Sequence, residues 1–202
     1  MLPMGSSDAT EKVLSEAARL IHRKGLSATT ISDLQEATGL ERGSLYFHFP
    51  SKHALGLRVL ERAREQFREM LGSTVGPQKP MGGLPDMFDA LLELNRRNEF
   101  VGGCIFGNTA LEASDCEESY AEFVEGVFDE WQETLEKALS AAQRCGEVRS
   151  DRDAPELATR IIATLEGAIM LSRLKKQAGP FRVCIEGLRA LLAPPHGPDT
   201  SD

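Results

Sequence analysis

The sequence is poor in the residues that most chemistry needs. It holds four cysteines, four histidines, two tyrosines and one tryptophan in 202 residues. Cys104, Cys116, Cys145 and Cys184 form no CxxC pair and no zinc-ligand spacing, and the histidines form no HExxH pattern. Neither a metal site nor a disulfide framework is expected, and a reducing, cytoplasmic setting is the natural reading. No nucleophile has a recognisable base at a diagnostic spacing, and no cofactor motif is present, so catalytic residues, cofactor and metal are all expected to be none. Long hydrophobic runs are missing too. The most apolar stretch, residues 157–174, is interrupted by Arg160, Glu166 and Arg173, so it does not read as a membrane span. The first ten residues are too short and too polar for a signal peptide and read as a frayed arm.

What is present points to a folded core. Apolar residues make up 41% of the chain, enough for one large or two small domains. The net charge of −8 argues at first against nucleic acid. Its distribution argues otherwise: residues 1–71 hold ten Lys/Arg against nine Asp/Glu, and residues 72–202 hold thirteen against twenty-two. The first third is nearly neutral and the acidity lies beyond it. An acidic body is repelled by phosphate, which helps orient the N-terminal part toward a duplex. A head so weakly basic predicts modest non-specific affinity and a moderate salt slope.

Residues 29–52 read TTISDLQEATGLERGSLYFHFPSK. Ile31, Leu34 and Ala37 recur at helical spacing, Thr30 is placed to cap that helix, and Gly39 to end it in the left-handed conformation. Leu40 plugs inward, a second short helix follows over about 41–47, Pro50 stops the chain, and Ser51 caps the next helix. Two short helices joined by a glycine-containing turn form the motif whose second helix enters the major groove. The run Gly39-Leu40, Gly43-Ser44-Leu45-Tyr46, His48-Phe49-Pro50-Ser51-Lys52 resembles the DNA-binding signature of the tetracycline-repressor (TetR) family. That resemblance covers the first quarter of the chain. For the remainder it implies an all-helical ligand-binding and dimerisation domain.

The rest of the chain supports an all-α fold of about nine helices without being forced to. The first helix spans about 8–24, with Val13, Leu14, Ala17, Ala18 and Ile21 as its stripe and Gly25 as its cap; His22 near its end reads as a surface or packing residue. A long fourth helix over about 51–71 connects the head to the body. His53 stands where the family often has an acidic residue, which weakens the helix-dipole interaction slightly. Residues 72–85 hold four glycines and three prolines and read as a loop and domain boundary. A fifth helix follows over about 85–98. The run GC-x-x-G-N-x-A-x-E from Gly103 to Glu112 resembles one seen at the start of the sixth helix in a subset of TetR-family bodies. The seventh helix, about 117–144, is the clearest amphipath. The eighth starts at Ala154-Pro155 with proline near N1, the ninth covers 179–192, and the tail from Pro194 is expected to be disordered. The expected domains are a DNA-binding head over 1–52, a ligand-binding and dimerisation domain over 72–193, and a tail over 194–202.

Site expectations follow from reach and chemistry. The resemblance aligns Tyr46 and Lys52 with phosphate-gripping positions, and Thr30 and His48 are further phosphate candidates. Base reading falls to Arg42 and Ser44, with Phe47 against a thymine methyl. Gly43 keeps that helix slim, and Leu45 and Phe49 belong to the core. Glu41 either accepts from a cytosine amino group or caps the helix. The resemblance implies a ligand pocket among the fourth to eighth helices, for which Cys104, Phe106, Phe128, Trp131, Glu166, Met170 and Arg173 are candidates. Glu166, in an otherwise apolar stretch, either pairs with Arg173 or binds a polar ligand group. Cys104, at a helix start that lowers a thiol pKa, is either a packing cysteine or a reactive sensor. Helices eight and nine carry excess apolar surface and are the expected homodimer interface, through Ile162, Gly167, Ile169, Phe181, Ile185 and Leu188.

These features favour a ligand-responsive transcriptional repressor that grips a near-palindromic double-stranded DNA operator as a dimer and releases it when a small molecule binds the body. The alternatives are a thiol-based electrophile or redox sensor acting through Cys104, a nucleoid-type or activator protein, a small helical enzyme using Cys104 or Glu166, and a helical scaffold without DNA binding.

Overall fold

The computed structural model describes residues 6–195, and among these every long element is an α-helix. The order is α1 (Ser6–Lys24), α2 (Ile31–Thr38), α3 (Arg42–His48), α4 (Lys52–Thr74), a 3-10 turn (Pro80–Gly83), α5 (Leu84–Arg97), α6 (Ile105–Ala113), α7 (Glu118–Arg144), α8 (Ala154–Lys175) and α9 (Gly179–Leu192). The all-α expectation of nine helices holds among the described residues. Two boundaries differ. Residues 6 and 7, expected to precede the first helix, already belong to α1. Helix α4 continues to Thr74, because the Thr74 hydroxyl donates to the Met70 carbonyl at 2.8 Å and the Val75 amide to Leu71 at 2.7 Å. The Gly/Pro loop therefore begins later and contains a 3-10 turn of its own. The expected tail lies outside the described residues from position 196 onward.

Contacts divide the described chain into two units. One runs up to Phe67 and includes Val101–Glu125; the other comprises Arg68–Phe100 and the chain from Gly126 onward. The first holds α1, α2, α3, most of α4, all of α6 and the first part of α7. Its core takes Val13, Ala17 and Ile21 from α1, Leu34 from α2, Leu45 and Phe49 from the α3 region, and Leu55, Val59 and Leu60 from α4. Helix α1 packs on α2, and α2 on α3. Tyr120 of α7 also belongs here. Its hydroxyl donates to the His53 carbonyl at 3.1 Å, and burial, with Glu117 nearby, pushes the phenol up to about 12, so it remains a neutral donor.

The second unit is built on α5, most of α7, α8 and α9. Phe88, Leu135, Leu139, Leu157, Ile161, Leu165 and Phe181 are fully buried in it. Arg68 grips Glu130 through a forked pair of hydrogen bonds, at 2.9 and 2.5 Å. Asp153 caps α8 by accepting from the Glu156 amide at 2.8 Å, with Pro155 in the first turn as expected. Helices α8 and α9 pack closely on each other, and this changes one expectation. Phe181, Ile185, Leu188 and Ile169 were expected at a dimer interface, yet their exposures are 0%, 4%, 2% and 6% within one protomer. They are already used in folding, so they are not on a free face. The apolar side chains left exposed on these helices are Met170, Leu171, Leu174 and Val183. Ile162 and Gly167 are half-buried, and Gly167 stands three, four and seven residues before Met170, Leu171 and Leu174, on the side of α8 that they leave exposed.

Candidate nucleic-acid interface

The helix-turn-helix is fixed by local hydrogen bonds that its sequence encodes. Thr30 is the N-cap of α2, and its hydroxyl oxygen accepts from the Asp33 amide at 3.1 Å. Asp33 replies by accepting from the Thr30 amide at 2.8 Å, which completes a capping box. The Lys24 ammonium donates to the other Asp33 oxygen at 2.5 Å. That bond, reinforced by Thr30, holds the Asp33 carboxyl down at about 2. Gly39 closes α2 with φ of +72°, and its amide bonds Gln35 at 2.8 Å. A lysine from α1, Lys12, donates to the Thr38 carbonyl at 2.7 Å and favours the negative end of the α2 dipole. At the other end of the motif, the Ser51 hydroxyl accepts from the Ala54 amide at 3.0 Å and caps α4.

Helix α3 sorts its seven residues into a core side and an exposed side. Leu45 and, just after it, Phe49 are buried. Arg42, Gly43, Tyr46 and Phe47 are exposed, with Phe47 at 80%, and Ser44 and His48 are half-buried. The Arg42 guanidinium lies 5.6 Å from the centre of the Tyr46 ring, one turn along the helix, so the two side chains share one face. His48 is tied to the Thr10 hydroxyl at 2.8 Å and packs edge-on against Phe47. Lys52 donates to the Ser27 carbonyl at 2.9 Å, which leaves further N–H groups of its ammonium for a phosphate oxygen. Glu41 occupies the N-cap position of α3, but its side chain makes no capping hydrogen bond, so the capping alternative fails.

The body residues are distributed over both units. Cys104 is the N-cap of α6, and its sulfur accepts from the Gly107 amide at 3.4 Å, which matches the expected helix start. Phe106 is buried and faces Phe67 at 5.9 Å between ring centres. In the other unit Trp131 is buried and stacks with Phe128 at 6.2 Å. Glu166 and Arg173 are half-buried and seven residues apart on α8, so they share one side of that helix. Met170 is 58% exposed and belongs with the exposed apolar side chains of α8 and α9. Among the described residues no group of His, Cys, Asp and Glu is arranged to hold a metal ion, and no helix is long and apolar enough to cross a membrane.

Two residues of this unit make contacts that the sequence reading did not assign to them. Glu112 of α6 accepts from the Ser27 amide at 3.0 Å, and His22 of α1 bonds the Gly103 carbonyl at 3.0 Å. The signal was present in the Gly103–Glu112 run, whose partners only the folded chain supplies.

Comparisons with known proteins agree with this geometry. Residues 13–59 match the family model described as bacterial regulatory proteins, tetR family, and residues 80–188 match the tetracyclin repressor-like C-terminal domain. The HTH-type transcriptional regulator Rv0196 of Mycobacterium tuberculosis is 32% identical over 90% of this chain and 93% of its own length. The HTH-type transcriptional repressor DhaR of a Mycobacterium species is 25% identical over 88% of this chain and 89% of its own. The crystal structure of a TetR transcriptional regulator from Chloroflexus aurantiacus superposes with a TM-score of 0.82 at 36% identity, covering 92% of this chain and 94% of that one. With both halves of the chain matched and the helix-turn-helix capped as its sequence requires, the protein belongs to the TetR family of DNA-binding transcriptional regulators.

Proposed function

We propose that the protein is a repressor in the cytoplasm that binds a near-palindromic operator as a homodimer and is released when a small molecule occupies its helical body. The observation that carries the DNA-binding part is the exposed side of α3, where Arg42, Tyr46 and an 80% exposed Phe47 stand together on a helix whose opposite side is core. In this reading Arg42 and Ser44 read bases, Phe47 meets a thymine methyl, and Thr30, Tyr46, His48 and Lys52 hold phosphates. The head, residues 1–52, acts as the DNA-binding domain, and residues 72–193 serve ligand binding and dimerisation.

The dimer face is best assigned to the exposed side of α8 and α9. Met170, Leu171, Leu174 and Val183 are exposed there, beside an apolar groove of about 450 Å³ lined by Leu171, Pro180, Val183 and Cys184 among others. A two-fold contact across that face repeats the head at two half-sites roughly 34–36 Å apart. The effector then needs only different affinities for two conformations that differ in head separation. The effector candidates are Cys104 and Phe106 in the first unit and, separately, Phe128, Trp131, Glu166 and Arg173 in the second.

The test is selection of bound duplexes from a random pool with purified protein at low salt. Recovery of one inverted repeat supports a dimeric, sequence-specific regulator. Recovery of a single unrepeated site counts against the dimer, and recovery of no sequence from refolded, ligand-free protein counts against operator reading.

A further inference from the structure

The segment from Gly102 to Glu112 takes no part in the DNA-facing side of α3, yet its polar groups are committed one after another. The Asn108 side-chain amide donates to the Gly102 carbonyl at 2.7 Å. The Gly103 carbonyl accepts from His22 Nε2 at 3.0 Å, which places the imidazole proton on that nitrogen, since a carbonyl only accepts. Nine residues beyond Gly103, the Glu112 carboxylate accepts from the Ser27 amide at 3.0 Å. Helix α6 is thus moored to α1 near its start and to the connection after α1 near its end.

The second mooring is the more specific. Gly25 has φ of +93°, and a Cβ there would overlap the Glu112 carboxylate, so the chain is bare where Glu112 approaches. The peptide group it reaches lies in the connection between α1 and α2, which has no helical ladder of its own. The Ser27 carbonyl accepts from the Lys52 ammonium at 2.9 Å. Ser27 is therefore held through its amide by α6 and through its carbonyl by the first residue of α4. Two residues on, the Thr29 hydroxyl donates to the Gly25 carbonyl at 2.8 Å, and Thr30 opens α2. One carboxylate thus anchors the connection that sets both the entry of α2 and the resting place of Lys52.

We propose that Glu112 is a positioning residue for operator binding, which acts by holding the Ser27 amide so that the Ser27 carbonyl presents the Lys52 ammonium to DNA. The proposal rests on the reading of Lys52 as a phosphate contact. A charged acceptor suits the task, because its hydrogen bond to an exposed amide is stronger than a neutral one. Glutamine at the same length keeps an acceptor oxygen, whereas alanine removes it.

The experiment measures operator affinity as a function of salt for the full-length protein, using a duplex recovered by selection, with E112A, E112Q, K52A and the double variant E112A/K52A. Lys52→Ala is expected to weaken binding and lower the salt slope by about 1. Glu112→Ala is expected to weaken it about tenfold, the scale of one hydrogen bond to a charged group. Glu112→Gln should stay within about threefold of the parent, because the acceptor is retained. The double variant should bind no more weakly than K52A, because both changes break one line. Parent-like binding by E112A, or losses that simply multiply in the double variant, would overturn the proposal. A silent K52A sinks the phosphate reading and with it the route through Lys52, even if E112A still loses affinity. Amide exchange gives a second measure free of DNA. Exchange at Ser27 must rise in E112A while Gly25, bonded to Ile21, stays protected; unchanged exchange at Ser27 would also overturn it.

Discussion

Arg42 and Asp33 show how single side chains carry different parts of this head. Arg42 is exposed beside Tyr46 on α3, and the proposed reading has its guanidinium meet a guanine edge. Arg42→Ala is expected to cost roughly 1–3 kcal/mol, confined to one base-pair position, in binding to operators mutated one pair at a time. An equal loss across all duplexes would assign Arg42 to phosphate instead. Asp33 is held at about 2, against an ordinary value of 3.8, mainly by the Lys24 hydrogen bond and then by Thr30. A depressed carboxylate contributes stability that is complete above the unfolded value and lost as pH falls through the folded one. Asp33→Asn should therefore lower the thermal midpoint at neutral pH, and the gap from the parent should close as pH falls from 3.8 toward about 2. A gap that persists at the acid end would show that Asp33 acts through something other than its charge.

At the scale of the element, α8 and α9 divide their apolar residues between a buried side and an exposed one. Phe181 is fully buried on one side, while Leu174 and Val183 are 77% and 68% exposed on the other. Truncating Phe181 to alanine should cost about 3–5 kcal/mol in denaturant unfolding, the cost of a large core cavity. Val183→Asp with Leu174→Asp should leave far-ultraviolet circular dichroism unchanged and shift sedimentation toward monomer. If this pair stays dimeric, the interface lies elsewhere. The turn between α2 and α3 obeys a different constraint. Gly39 is left-handed and has open space around the missing Cβ, so Gly39→Ala should cost about 1–2 kcal/mol from backbone strain alone, read as a lower thermal midpoint.

For the whole molecule the governing quantity is where charge lies. The N-terminal 71 residues are nearly balanced at +1, and the rest of the chain carries −9, which gives the net −8. On the proposed reading, phosphate attraction comes from a few placed groups, among them Lys52, rather than from a general basic field. The logarithm of operator affinity should fall with the logarithm of salt at a slope set by those few contacts. A slope near −10 would require a much larger phosphate contact set than this head displays.

The local elements of this protein were legible in its sequence because they depend on neighbours within a few residues. Thr30 and Gly39 bound α2, Pro155 opens α8, Leu45 and Phe49 alternate with exposed positions on α3, and the Gly39–Lys52 run names the family before any contact is known. Even so, the local reading needed help at α4, where a threonine hydroxyl and a backbone bond carry the helix into the expected loop. What depends on distant partners was not legible. An apolar residue on α8 or α9 has the same periodicity whether it meets its own chain or a second copy, and only packing separated Phe181 from Val183. A glutamate exposed on α6 shows no partner in the sequence until the amide of Ser27, 85 residues earlier, is brought to it. Tertiary structure decided these matters because burial and hydrogen bonding are properties of pairs of surfaces, and a one-dimensional pattern contains only one surface of each pair.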